Sequence, residues 1–288
     1  MKIFEAQNVS LSYGRQKILD KLDISLKTGS ISALIGPNGA GKSSAFRILA
    51  GLVKADAGEL YVDKKILNNF EDLRKHCGYL LESPDFYPYL SGKKNLELLI
   101  GLSASKADAS ELLELVGLGR EAGKKVQNYS RGMKQRLGIA QIMIDDPDFL
   151  ILDEPFNGLD PEVKEQMLQL LVSLKNQGKG ILLSTHLLED IENIADEFIL
   201  LQKGKVFLKG DMKIYRNERQ SITLYFSMPL NDIRIEGIHI DASAGSIQLM
   251  ASIQETEELL KQLYLKGLVP YRINRSSILH DKYMEIVR

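Results

Sequence analysis

A glycine-rich segment near the start of the chain has the composition of a phosphate-binding loop. Residues 36–43 read GPNGAGKS, which satisfies the G-x-x-x-x-G-K-[ST] spacing between an apolar run and a helical run. Its glycines let backbone N–H groups converge on phosphate oxygens, while Lys42 would reach the outer phosphates and Ser43 would bind Mg²⁺. This pattern alone predicts only that a nucleoside triphosphate binds. The candidate nucleotide-binding residues here are Gly36, Asn38, Gly39, Ala40, Gly41, Lys42, Ser43 and Ser44.

Two adjacent carboxylates follow the short apolar run FLIL at residues 149–152. Asp153 and Glu154 would therefore lie at the carboxyl end of a strand, where open α/β sheets hold ligands. We expect Asp153 to bind Mg²⁺ through water, and Glu154 to act as the catalytic base that polarises a water molecule for attack on the γ-phosphate. Without the loop at residues 36–43, a solvated turn would be the preferred interpretation of this acidic pair.

A third segment indicates the family. Residues 129–136 read YSRGMKQR, and here the chain resembles the ABC ATPases, whose signature usually runs Leu-Ser-Gly-Gly-Gln with Gln-Arg shortly after. Ser130 is a good helix N-cap and Gly132 permits close backbone approach, so the helix start would present N–H donors to a phosphate. The resemblance implies that this phosphate belongs to the ATP of a second subunit; the alternative is an ordinary capped helix. The positions that depart from the pattern, as in many export-type members, are Tyr129, Arg131 and Met133.

Further elements of the family follow in order along the chain. Tyr13 lies where ABC ATPases stack an aromatic ring on adenine, although a core strand aromatic is the alternative. Residues 157–160 (NGLD) match the loop through which two ABC subunits communicate. His186 lies where the family has a catalytic histidine that contacts the γ-phosphate, although a lone histidine is more often structural. Glu82 stands where the family has a glutamine that can bind the metal, so the resemblance implies that Glu82 is a metal ligand. A glutamate differs from a glutamine because it carries a charge and only accepts hydrogen bonds.

Short apolar runs alternate with helical stretches through about residue 210, a pattern typical of strands covered by helices on both faces. The predicted strands are residues 30–35, 149–152, 180–184 and 197–202. The predicted helices are residues 95–102, 109–116 and 131–144. The pattern therefore predicts an α/β fold with a helical insert at about residues 84–145, and the resemblance implies that residues 1–216 form a P-loop ABC ATPase domain.

The remaining residues, 217–288, are predicted to form a small C-terminal α/β accessory domain. Strand-like runs occur at residues 221–226, 246–251 and 269–273, with a helix at residues 255–265 and a final helix opened by Ser277. This stretch resembles the accessory domain of some bacterial drug-efflux and gliding-motility ATPases. The alternative is a generic appendage that stabilises a dimer.

Composition excludes several classes of function. The 37 Lys and Arg residues against 38 Asp and Glu leave a formal net charge of -1, so there is no overall positive field to attract nucleic acid. The chain has no apolar run of about 18 residues and no apolar stretch behind its first residues, so neither a membrane span nor a secretory signal is predicted. Its single cysteine, Cys77, fits a reducing compartment. We expect a cytoplasmic protein.

The resemblance implies an ATPase subunit of an ABC transporter that uses ATP and Mg²⁺. It implies a homodimer or a heterodimer with a second ABC ATPase, no nucleic-acid partner, and a separate transmembrane permease that holds the chain on the inner face of the cell membrane. An exporter is the favoured interpretation, with residues 86–89 touching the permease. The alternatives are a soluble ABC protein that works on ribosomes or DNA, and a nucleotide-binding structural protein without turnover. Soluble ABC proteins of that kind usually carry two nucleotide-binding domains in one chain, or a long coiled coil or basic arm. This sequence contains one such domain and neither of the other two features.

Overall fold

A computed structural model describes residues 1–67, 69–80, 84–103, 105–186, 191–213, 220–227, 239–241 and 245–276. The chain divides into two compact units, residues 1–210 and residues 211–288. The domain boundary proposed from the sequence, after residue 216, falls among residues outside the described ranges.

The strands and helices are numbered in chain order. The strands are β1 (Ile3–Tyr13), β2 (Gln16–Lys27), β3 (Ile31–Ile35), β4 (Ala57–Val62), β5 (Lys65–Ile66), β6 (Cys77–Leu80), β7 (Phe149–Leu152), β8 (Gly180–Thr185), β9 (Glu197–Gln202), β10 (Lys205–Asp211), β11 (Gln220–Tyr225), β12 (His239–Asp241), β13 (Ser246–Ala251) and β14 (Arg272–Ser276). The helices are α1 (Lys42–Leu49), α2 (Phe70–His76), α3 (Gly92–Ser103), α4 (Ala109–Leu115), α5 (Arg131–Ile142), α6 (Pro161–Asn176) and α7 (Ile253–Leu265), with 3₁₀ turns at Gly119–Glu121 and Val126–Asn128.

A central sheet in the order β10-β9-β3-β8-β7-β6 forms the core of the first unit. Strands β3, β6, β7, β8 and β9 pair in parallel. Every residue of β3, β7 and β8 is buried, because helices and a second sheet cover both faces of a parallel sheet. The four strands predicted from the sequence are confirmed, two with the same bounds and two with ends shifted by one residue. Because parallel strands share a direction, the carboxyl ends of β3, β7 and β8 meet at one edge.

A second, antiparallel sheet in the order β2-β1-β4-β5 was not predicted from the sequence. In β1 the buried residues alternate only until Ala6, because the register against β2 shifts between Ala6 and Val9, with Asn8 at a positive φ of 52° between them. Phe4 of this sheet packs against Phe149 of the central sheet, with ring centroids 5.8 Å apart. The main core therefore lies between the two sheets and includes apolar residues of α1.

Helices α3, α4 and α5 confirm the three helices predicted between residues 84 and 145, with ends that differ by up to three residues. The side chain of Asp108 caps α4 by accepting from the amides of Ser110 and Glu111. Ser130 caps α5 and accepts from the amide of Met133 at 3.2 Å. Local capping thus sets where both helices begin.

The second unit contains a four-stranded antiparallel sheet in the order β12-β13-β11-β14, together with α7. Ser252 and Glu255 form a capping box that starts α7. Three of the predicted elements, β11, β13 and α7, are confirmed, but the strand predicted at residues 269–273 is displaced. The observed β14 begins only after Pro270, which has no amide to donate to a neighbouring strand. The helix predicted to open at Ser277 lies outside the described residues.

Candidate functional site

The glycine-rich loop joins the end of β3 to the start of α1. Gly39 and Gly41 adopt positive φ angles of 79° and 107°, which favour glycine. Gly36 is required for a different reason, since a Cβ there would lie 2.5 Å from the carbonyl oxygen of Leu201. Ala40 is buried, and its carbonyl oxygen accepts from the amide of Gly204 at 2.9 Å. The turn between β9 and β10 thus supports the back of the loop.

The outer side of the loop faces solvent. Asn38, Gly39 and Ser43 are exposed, whereas Ser44 is half-buried. Within the described part of the chain, no hydrogen bond to the Ser43 hydroxyl is found, so that hydroxyl is available to a ligand at the amino end of α1. The loop therefore presents backbone N–H groups and one hydroxyl on its exposed side.

Lys42 is buried across the loop, with 7% of its side chain exposed. Its Nζ donates to the carbonyl oxygen of Gly36 at 2.6 Å and lies 3.7 Å from Oε1 of Glu154. Burial lowers the pKa of Lys42, while the carboxylates of Glu154 and Asp153 act in the opposite direction. The ammonium group is thus held between the loop and the acidic pair.

The two carboxylates follow β7 directly, as the sequence predicts. Asp153 is buried, and its amide donates to the carbonyl oxygen of Leu80 on the neighbouring strand β6 at 2.8 Å. Glu154 has a positive φ of 47°, and one of its carboxylate oxygens lies 3.0 Å from Nδ1 of His186. An ionised carboxylate only accepts, so Nδ1 carries the proton in this contact. Lys42, Glu154 and His186 therefore meet at the shared edge of the sheet.

Ser184 is a residue of this site that the sequence analysis did not single out. It is fully buried near the end of β8, and its hydroxyl donates to Oδ1 of Asp153. Oγ of Ser184 in turn accepts from the amide of Glu154 at 2.8 Å. The feature of the sequence that could have identified Ser184 was its position two residues before His186, at the end of a predicted strand.

The signature segment lies at the start of α5 and packs tightly against α6. A Cβ on Gly132 would lie 2.1 Å from Cγ1 of Val163, so a larger residue would push the two helices apart. The hydroxyl of Tyr129 donates to the carbonyl oxygen of Glu121 at 2.8 Å. Tyr129, which stands where the family has a leucine, thus makes a structural contact within the chain.

A second departure is explained by the NGLD turn. The guanidinium of Arg131 lies over Gly158, where an added Cβ would be 2.3 Å from Nη1. Gly158 also has a positive φ of 68°, and the turn begins where the amide of Asn157 donates to the carbonyl oxygen of Glu154 at 3.1 Å. The signature segment and the NGLD turn of one chain are therefore in contact.

Other candidate residues are not joined to this cluster. Among the residues that the structure describes, no hydrogen bond or ion pair links Ser130, Gly132 or Tyr13 to the group formed by Lys42 and Glu154. The side chain of Tyr13, at the β1–β2 turn, is 51% exposed, so the alternative of a core aromatic is wrong. Glu82 lies outside the described residues, and its metal-binding role stays a prediction.

No helix in the described part of the chain is both long and apolar enough to cross a membrane. No group of three or more His, Cys, Asp or Glu side chains there could hold a metal ion on its own.

Known proteins resemble the chain over most of its length. Residues 19–157 match the family described as ABC transporter. The uncharacterized ABC transporter ATP-binding protein YhcH of Bacillus subtilis (strain 168) is 38% identical to this chain over an alignment 299 residues long. The alignment covers 99% of this chain and 95% of that protein. The lantibiotic transport ATP-binding protein SrtF of Streptococcus pyogenes is 39% identical over 210 residues, or 73% of this chain and 91% of that protein.

A solved structure agrees with the fold. The dimeric post-hydrolysis state of the ATP-binding cassette MJ0796, bound to ADP and Pi, has a TM-score of 0.64 and 27% sequence identity. The match covers 73% of this chain and 98% of that chain. The resemblance seen in the signature segment and the phosphate loop is thereby confirmed. The chain belongs to the family of ABC transporter ATP-binding proteins, and it binds and hydrolyses ATP.

Proposed function

We propose that this chain powers an exporter by hydrolysing ATP at a site whose general base is Glu154. The observation that carries the proposal is the meeting of Lys42, Glu154 and His186 at the edge where β3, β7 and β8 end. A water oxygen bonds to the γ-phosphorus, the bond from that phosphorus to the ADP oxygen breaks, and the water proton passes to Glu154. Lys42 contacts the γ-phosphate and counters the charge that develops on it, and His186 is the further contact to that phosphate that the family pattern implies.

The residues present fit a magnesium ion. Asp153 offers a carboxylate whose Oδ1 is already bonded to Ser184, so that Oδ2 would be the oxygen that accepts from a metal-bound water, and Ser43 offers an exposed hydroxyl. Such a small set of protein oxygens suits Mg²⁺, which shares its coordination with phosphates and water. When bound, the ion neutralises phosphate charge. Glu82 is a further proposed ligand, in place of the family's glutamine.

The second half of each site comes from a partner subunit in this proposal. Ser130 and Gly132 lie at the start of α5, whose free N–H groups suit a phosphate, yet no described contact joins them to the chain's own Lys42. The dimeric state of the MJ0796 cassette supports a sandwich of two chains. Tyr13 would stack on the adenine. A second copy would complete both sites, and a related ABC ATPase with the same segments would do so too.

A groove beside residues 86–89 supports docking on a separate permease. Its volume is about 530 Å³, and its lining is rich in apolar side chains, including Leu52, Phe70, Leu99 and Leu102. Leu52 and Leu102 are 61% and 77% exposed. Tyr87 and Tyr89 nearby are 61% and 75% exposed. Exposed apolar and aromatic surface of this kind is typical of protein interfaces, and it would hold the chain at the cytoplasmic face of the membrane.

The relative SrtF, named for lantibiotic transport, supports export of a peptide-like or drug-like substrate. The test is to purify the chain and its permease together from detergent-solubilised membranes and to reconstitute them in vesicles. We expect ATP hydrolysis that requires Mg²⁺ and stops when EDTA removes the metal. Hydrolysis at the same rate without any divalent metal would contradict the proposed site.

A further inference from the structure

We propose that Ser184 is a positioning residue for ATP hydrolysis, an inference that rests on the roles proposed above for Asp153 and Glu154. Its single hydroxyl bonds to both members of the acidic pair, donating to Oδ1 of Asp153 and accepting from the amide of Glu154. The serine therefore links the proposed metal side of the site to the proposed water side.

The direction of these bonds follows from what each group can do. A serine hydroxyl has one proton, and an ionised carboxylate only accepts. Donation to Asp153 therefore leaves a lone pair of the Ser184 oxygen for the amide of Glu154. The arrangement favours one rotamer of Asp153, with Oδ2 left for other partners.

Burial makes the hydroxyl hard to replace. Ser184 is 0% exposed and Asp153 is 3% exposed, so bulk water cannot take over the lost bonds if the hydroxyl is removed. Glu154 has a positive φ of 47°, a backbone conformation that residues other than glycine adopt at a cost in free energy. The bond from the amide of Glu154 to Ser184 holds that conformation and so directs the carboxylate.

Ser184 and His186 act on the same partner from one strand. Ser184 lies in β8 and His186 directly follows its last residue, so the alternation of an extended backbone directs both side chains to the same side. Ser184 bonds to the backbone of Glu154, while His186 contacts its carboxylate at 3.0 Å. Both the backbone amide and the carboxylate of the proposed base, Glu154, are thus held by residues of β8 and its immediate continuation.

A matched control residue lies on the next strand. Ser32 in β3 pairs with Leu182 in β8 and is also buried, at 1% exposure. Its Oγ has no hydrogen-bond partner among the described residues. Burial of a serine in this sheet does not by itself imply a role, so Ser32→Ala separates a general packing effect from the effect proposed for Ser184.

The experiment compares steady-state hydrolysis by full-length variants across ATP and Mg²⁺ concentrations. We expect Ser184→Ala to lower kcat by roughly tenfold to a hundredfold, because small displacements of catalytic groups have effects of this size. The ATP concentration for half-maximal rate should stay within about twofold, while the Mg²⁺ concentration required should rise. Ser32→Ala should leave all three quantities unchanged.

A second pair of variants isolates the hydroxyl. Thr and Val have nearly the same shape, so Ser184→Thr should retain most of the rate and Ser184→Val should lose it. If neither branched side chain is accepted in the core, as thermal melting would reveal, the comparison of Ser184→Ala with Ser32→Ala decides alone. Wild-type kcat in Ser184→Ala, or equal losses in Ser184→Ala and Ser32→Ala, would overturn the proposal.

A combination with Glu154→Gln separates this inference from the proposed function. If Ser184 acts by positioning Glu154, adding Ser184→Ala to Glu154→Gln should lower the residual rate much less than it lowers the wild-type rate. An equal loss in both backgrounds would overturn the positioning role. Wild-type turnover by Glu154→Gln alone would instead refute Glu154 as the base, whatever Ser184 does.

Discussion

Nδ1 of His186 lies 3.0 Å from Oε2 of Glu154, although 32 positions separate the two residues in the chain. They meet because β7 and β8 are parallel neighbours, with Leu152 paired to Leu183, so both residues leave the sheet at the same edge. Oε1 of Glu154 lies 3.7 Å from the ammonium of Lys42. One carboxylate thus connects the phosphate loop, the acidic strand and the histidine strand.

Replacing Glu154 by Gln should leave Mg-ATP binding intact and slow hydrolysis by about a hundredfold to ten-thousandfold, because an amide is a poor proton acceptor of nearly the same shape. Single-turnover hydrolysis measures the chemical step, and gel filtration with ATP should reveal a trapped dimer. Glu192→Gln is a matched control, since it makes the same change on a half-buried residue that has no proposed role. Turnover at the wild-type rate by Glu154→Gln would show that Glu154 is not the base.

Lys42→Ala should weaken ATP binding by about tenfold or more, because a charge-assisted bond to phosphate contributes on the order of 2 kcal/mol. It removes the buried ammonium that bonds to Gly36 and lies near Glu154. Binding is measured by titration with a fluorescent ATP analogue. Lys179→Ala, which removes a lysine far along the chain that pairs with Asp146, is the control. Unchanged ATP affinity in Lys42→Ala would reject the phosphate-loop assignment.

Ser130→Arg should leave ATP binding by the isolated monomer nearly intact and block hydrolysis, since we propose that the start of α5 serves the neighbour's nucleotide. Mixed dimers with Lys42→Ala test this directly. A pair in which one chain supplies an intact Lys42 and the other an intact Ser130 should retain one working site. Activity restricted to pairs that have both residues intact in the same chain would contradict the shared site.

The thiol of Cys77 should resist alkylation in the folded protein. It is buried, and burial raises its pKa to about 12, so almost no thiolate exists at pH 8. Because an unfolded thiol ionises near pH 9, the same shift predicts that stability falls as the pH rises from about 9 toward 12. Mass spectrometry after iodoacetamide treatment should find one label per chain only in denaturant. Rapid labelling of the native protein would contradict this burial.

A chain that ends after residue 216 should bind Mg-ATP with an affinity similar to that of the full chain. The first unit contains the phosphate loop, the acidic pair and its own apolar core, and the core of the second unit is a separate cluster. We expect weaker dimerisation or poorer coupling to the permease, measured by gel filtration and by transport in vesicles. Loss of ATP binding by a truncated chain that still melts cooperatively would make the second unit part of the site.

Much of the candidate site could be predicted because its signals are local. The phosphate loop needs glycines at fixed spacing, α5 starts at the serine that caps it, and the acidic pair follows a run of four apolar residues. Each of these depends on the conformations and hydrogen bonds of a few consecutive residues. The buried strands β3, β7 and β8 were predictable for the same reason, since strands covered on both faces are apolar throughout.

Only the tertiary structure decided which distant residues share a partner. The antiparallel sheet was missed because the irregular register around Asn8 interrupts the alternation of buried and exposed residues in β1. The role of Ser184 was missed because its bonds to Asp153 and Glu154 depend on the order of strands in the sheet, which no local pattern encodes. The sequence by itself determined the chemical groups of the site and the ends of the strands that carry them. The pairing of β7 with β8 then decided that one buried hydroxyl would hold both carboxylate residues, because hydrogen bonds between strands depend on register and distance in three dimensions.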